Sequence, residues 1–117
     1  MSINFIAVGD VAQDRDDPAT SFDHVRDRIE QADLGFCQLE VNLTTRGTRL
    51  PQARHTMRGD PRIADALVEV GLKVVSFAGN HCMDWGPDGL FDTLGHLERA
   101  GALQVGTGRN IAEARQP

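Results

Sequence analysis

Leu72-Lys73-Val74-Val75-Ser76-Phe77-Ala78-Gly79-Asn80-His81-Cys82-Met83-Asp84-Trp85-Gly86 holds a complete strand and the break that ends it. Residues 72–77 form a short apolar run that stops at a glycine, as a buried strand does. Upstream, Asp60-Pro61 starts a helix, with a cap residue followed by proline at the first helical position. Ile63, Leu67 and Val70 fall on one helical face, and Gly71 supplies the stop. Downstream, residues 87–100 repeat the pattern, with Leu90, Leu94 and Leu97 inward and Gly101 as the stop. A strand between two helices is the unit of a parallel sheet with right-handed crossovers.

The same alternation extends outward. Residues 3–8 and 34–39 read as strands ending at Gly9-Asp10 and at Glu40, and residues 103–106 as a fourth strand. Residues 21–32 read as a helix capped by Ser21, with Phe22, Val25 and Ile29 on one face. Asn110 caps one more turn over residues 111–115. Residues 44–59 are polar, arginine-rich and aperiodic, a loop long enough to suggest a function of its own. The expected fold class is α/β, a parallel sheet of βαβ units.

The whole chain, 117 residues, has room for one small domain with one core. Its net charge of −5 and lack of a basic stripe argue against nucleic acid or an anionic membrane as partner. No apolar stretch is long enough to span a bilayer, and Met1-Ser2 leads straight into a strand with no signal-like region, so the expected location is cytoplasmic. Cys37 and Cys82 are expected to stay reduced there.

The first three strands end in Asp10, in Glu40, and in Asn80-His81. Ligands of open α/β sheets bind beyond the carboxyl ends of the strands. Two carboxylates, a carboxamide oxygen and an imidazole, with no thiolate, suit Mn²⁺, Fe²⁺ or Zn²⁺. Close carboxylates repel unless a cation lies between them. Asn80 is read as a ligand, and His81 as a ligand or a general acid facing substrate, with Asp84 fixing its tautomer. Each residue also has an ordinary reading: Asp10 and Gly79-Asn80 as turn chemistry, His81 as a satisfied polar group. It is their joint placement that favours a site.

Other residues carry less. Cys37 shares a strand face with Leu39 and belongs in the core, and Cys82 reads as inert and buried. His24 and His96 lie on helices among charges and should face solvent. His55, Arg46, Arg49, Arg54 and Arg58 could receive an anionic group, but a solvated loop explains them better. Trp85 packs either beside the site or under the third helix. Gly106-Thr107-Gly108 is a weak phosphate signal.

Val8-Gly9-Asp10-Val11, then Ala32-Asp33-Leu34 leading to Gln38-Leu39-Glu40, then Ala78 through Gly86 with its Asn-His-x-x-Asp-x-Gly element, resemble the poly-γ-glutamate capsule-synthesis (CapA-type) proteins. Gly89-Leu90, Thr93-Leu94, Leu97, Ala100-Gly101, residues 106–110 and Glu113-Ala114 continue the likeness. That family is similar to calcineurin-like metallophosphoesterases. The resemblance implies that residues 1–117 are the N-terminal part of one α/β/β/α sandwich domain with a dinuclear metal centre. Asp10 would then ligate one ion, Glu40 bridge, Asn80 ligate the second, and His81 act beside them. Gly79 stands where the family usually has a second Asn, and Gln38 where it usually has Asn. Members are about twice as long, and their later half supplies histidines in a Gly-His-x-x-His-type element. His96 is the only histidine here after His81.

These readings imply a metal-dependent enzyme hydrolysing or transferring an amide, γ-glutamyl-type peptide or phosphoester, with peptide epimerisation as an alternative on the same centre. A second class is an inactive fragment or binding module that needs a partner half, or that self-associates through an unpaired edge. A third is a flavodoxin-like domain binding flavin or phosphate.

Overall fold

A computed structural model describes all residues, 1–117. Its main sheet has four parallel strands in the order β1 (Phe5–Val11), β2 (Leu34–Leu39), β5 (Leu72–Ser76), β6 (Leu103–Val105). The helices α2 (Ile63–Val70) and α3 (Gly86–Ala100) cross between the later strands, and α4 (Ile111–Ala114) closes the chain. The α/β class read from the sequence is the observed one. Gly71 and Gly101 end α2 and α3 in left-handed backbone, φ 104° and 88°. Asn110 caps α4 by accepting from the Glu113 N–H at 3.0 Å.

Three elements differ from expectation. The helix expected over residues 21–32 shrinks to α1 (Arg26–Ile29), preceded by turns and a 3-10 turn at Pro18–Thr20. Asp17, not Ser21, caps that 3-10 turn, through Ala19 N–H, and Val25 is exposed while Phe22 and Ile29 are buried. The i, i+3, i+7 spacing is served here by two successive turns rather than one helix. The loop over residues 44–59 is not wholly irregular, because β4 (Arg58–Gly59) pairs in parallel with β3 (Asn42–Leu43). Gly59 lies so close to Val41, Leu43 and Ile63 that a Cβ there would press on their methyls. Finally, β1 runs on through Asp10 to Val11, past a break in register between Ala7 and Asp10.

The strand order rises without reversal, so right-handed crossovers put every connecting helix on one face of the sheet. That face holds the core, where Cys37, Leu39, Val75 and Phe77 pack against Ile29, Ile63, Leu67, Val70 and Leu97. The opposite face carries Phe36, in register with Ala7 and Val74. It is uncovered, leaving Phe5, Leu34 and Leu103 at 59 %, 42 % and 69 % exposure. Parallel sheets normally have both faces covered. One helical layer on one sheet is the half that an α/β/β/α sandwich would provide. A doubly wound flavodoxin-like fold instead needs helices on both faces and a reversal of strand order, and neither is present. No helix is long and apolar enough to cross a membrane.

Candidate metal and proton-transfer site

The break in β1 decides where Asp10 goes. Three residue steps of β1, from Ala7 to Asp10, match two steps of β2, from Phe36 to Gln38. The extra residue inverts the alternation, as β-bulges do. Ile6 and Val8 lie against the core, and so does Val11, while Asp10 turns to the uncovered face in register with Gln38. Glu40 follows two residues after Gln38 on the same side, its N–H bonded to Val11 carbonyl at 3.0 Å. Gln38 is in turn in register with Ser76. Asp10, Gln38, Glu40 and Ser76 therefore mark the carboxyl end of the open face.

Asn80 and His81 follow β5 in the loop that leads into α3. His81 Nε2 stands 3.9 Å from Glu40 Oε1, and His81 Nδ1 is 2.7 Å from Asp84 Oδ2. A carboxylate can only accept, so this contact favours the His81 tautomer with its proton on Nδ1, in which Nε2 faces Glu40. The His81 and Asp84 side chains are 18 % and 7 % exposed, so the pair is largely shielded. Asn42, fully buried, fastens the same loop by donating from Nδ2 to Cys82 carbonyl at 2.9 Å.

Asp10 and Asn80 remain exposed, and no three His, Cys, Asp or Glu side chains gather closely enough to hold an ion by themselves. Glu40 and His81 adjoin, while Asp10 near the end of β1 and Asn80 beyond β5 flank β2 on either side. The thiols add nothing to the donor set. Burial pushes Cys37 up to about 12, and it also raises Cys82, so neither presents a thiolate.

The two positions that depart from the family pattern touch each other. A Cβ on Gly79 would lie 2.8 Å from the Gln38 carboxamide nitrogen. The longer Gln38 fills the space that the missing side chain at Gly79 leaves. Sequence reading missed Gln38 as a site neighbour, although its place two residues before Glu40 puts both on one strand face.

The remaining candidates are accounted for by the protein itself. Cys37 is core, as expected, and both cysteines are free. His24 and His55 are exposed, but His96 is half-buried rather than solvent-facing. Arg46 pairs with Asp92, which also accepts from the Thr44 hydroxyl at 2.6 Å. That hydrogen bond from Arg46 is the main cause holding the Asp92 carboxyl below its ordinary range, with Thr44 and His96 adding to it. A carboxyl with a lowered folded-state pKa binds its proton more readily in the unfolded chain. Its stabilisation is present above the unfolded pKa, near 4, and is lost as pH falls through the lower folded value. Asp92→Asn is therefore expected to flatten the acid side of the stability–pH curve while leaving its slope near neutrality unchanged, as read by urea unfolding across pH.

A parallel α/β sheet covered by helices on one face is consistent with one half of a calcineurin-like α/β/β/α sandwich, and it places a carboxylate and an Asp-bonded histidine at its strand ends. The model of the bacterial capsule synthesis protein PGA_cap family matches residues 4–117, and the chain belongs to that family. It is 29 % identical over 119 residues to y4sH, an uncharacterized protein of Sinorhizobium fredii, covering 93 % of this chain and 25 % of that one. It is 32 % identical over 84 residues to a probable polyglutamine synthesis accessory protein of Mycobacterium tuberculosis, covering 72 % of this chain and 22 % of that one. The chain thus spans about a quarter or less of the length of these curated relatives. That is a smaller share than the half implied by the resemblance.

Proposed function

We propose that these residues form one side of a divalent-metal centre in an enzyme acting on an amide or phosphoester, of which a γ-glutamyl-type polymer is the favoured substrate. The observation that carries this is the 3.9 Å approach of Glu40 to the Nε2 of an Asp84-bound His81 at the carboxyl edge of the open sheet face. Asp10, Glu40, Asn80 and His81 are the residues that would hold Mn²⁺, Fe²⁺ or Zn²⁺. When bound, such ions would lower the pKa of a coordinated water and polarise substrate oxygens. His81 is suited to deliver or accept a proton at Nε2, and Asp84 keeps that nitrogen available. The polyglutamine synthesis named for the Mycobacterium relative concerns an amide-linked polymer, which favours an amide over a phosphoester as the bond acted on. The uncovered apolar face supports a further element of the reading. A second β-layer, supplied by a further part of the protein or by a partner, covers Phe5, Leu34, Phe36 and Leu103 and brings the missing ligands.

Elemental analysis of the full-length protein tests this. Bound Mn, Fe or Zn in the wild type, with at least a tenfold loss of affinity in Glu40→Ala, is the expected result. Turnover of γ-glutamyl amides and p-nitrophenyl phosphate should fall with it. Metal content and turnover unaffected by Glu40→Ala would remove the basis for the reading.

A further inference from the structure

Residues 47–57 wrap around the segment that carries Asp84. Leu50 N–H donates to the Asp84 backbone carbonyl at 3.0 Å. Met57 N–H reaches Asp84 Oδ2 at 3.4 Å, a weak bond to the same oxygen that holds His81 Nδ1. The Trp85 indole N–H donates to Met57 carbonyl at 2.9 Å, and the Arg58 guanidinium lies over the ring, 3.4 Å from its centroid. At the other end Gly47, at φ 90°, backs against the Trp85 carbonyl so closely that a Cβ would collide with it. Three of the four arginines in and flanking the segment, residues 46–58, are committed to the protein. Arg46 binds Asp92, Arg49 binds the Ala53 and Arg54 carbonyls, and Arg58 binds the indole face and Arg46 carbonyl. That leaves little free charge for an anionic ligand.

We infer that residues 47–57 are a strap, clasped by Trp85, that positions Asp84 and so keeps the His81 proton on Nδ1 and Nε2 open toward Glu40. Met57 and Trp85 are then positioning residues, acting on the site through Asp84. The inference rests on the reading of His81 and Glu40 as site groups, but it concerns a tautomer that exists without metal or substrate.

The test is ¹⁵N NMR of the full-length protein labelled in histidine, free of metal and at a pH where the ring is neutral. Wild type is expected to show His81 in a single tautomer, protonated at Nδ1. Trp85→Phe, which keeps the ring but loses the clasp, is expected to mix the tautomers. It should also lower kcat about tenfold with KM changed less than twofold. Gly47→Ala, which pushes the strap off from the other end, should do the same without altering any side chain of the clasp. Arg58→Ala, which leaves the indole bond to Met57 intact, should keep the wild-type tautomer. Retention of the wild-type tautomer in both Trp85→Phe and Gly47→Ala would overturn the strap. If instead both variants mix the tautomers while Glu40→Ala leaves metal and turnover untouched, the strap stands and the metal-site reading fails.

Discussion

His81→Ala is expected to lower turnover of the full-length protein by about 10²–10⁴-fold, the range lost when a positioned acid or base is removed. The effect should be this large because the two ring nitrogens do different work. Nδ1 is held by Asp84 at 2.7 Å, and Nε2 is directed to the edge where Glu40 stands, 3.9 Å away. No other histidine shares that edge: His24 and His55 are exposed elsewhere, and His96 interacts with Asp92 on α3. Asp84→Asn gives a sharper comparison. The carboxamide has nearly the same shape, but its nitrogen donates, which favours a proton on Nε2 instead of Nδ1. Its turnover should therefore fall even where folding and metal content are normal. Steady-state kinetics of the two variants, with metal content measured on the same samples, checks the prediction. Wild-type kcat/KM in His81→Ala would remove the histidine from the chemistry.

Phe77→Ala is expected to cost about 3–5 kcal/mol of stability, the range for emptying a fully buried aromatic position. Phe77 has no exposed surface and follows directly on β5, on the side where Leu39, Val75 and Leu97 pack. It is also the last core residue before the Ala78-Gly79-Asn80-His81 loop, so it anchors the root of the site. The variant should lose stability and loosen His81 together. Denaturant midpoints at unchanged m-value measure the first effect. A loss below about 1 kcal/mol, by the same scale, would mean that this face of the sheet is not the closed core described.

Sequence patterns carried the elements that physics marks locally. The run over residues 72–77 and the glycine stops at Gly71 and Gly101 are set by side-chain burial and by left-handed backbone that glycine alone adopts freely. The Asn110 cap belongs to the same group. The turn over residues 21–25 was not legible. Phe22, Val25 and Ile29 fit a helical face as well as they fit two turns, and only tertiary packing leaves Val25 outside. The orientation of Asp10 depends on a bulge, and the one cue to it was Gly9, a glycine inside a strand pattern. The uncovered face was written in β2, where Leu34 and Phe36 alternate with Cys37 and Leu39, apolar on both sides. Such a strand is built for burial on both faces. The strap was hidden because its contacts join residues far apart in the chain. Its signals were Gly47, which sits where no side chain fits, and a tryptophan whose indole N–H needed an acceptor.

A crystal structure of the full-length protein grown with Mn²⁺, with anomalous diffraction recorded at the manganese edge, bears most directly on the metal half-site. The predicted result is an anomalous peak within coordination distance of the Glu40 carboxylate, shared with Asp10 or Asn80, beneath a second sheet covering Phe36 and Leu34. A peak remote from these residues, or Glu40 and Asp10 free of metal beside a fully formed second layer, would contradict it.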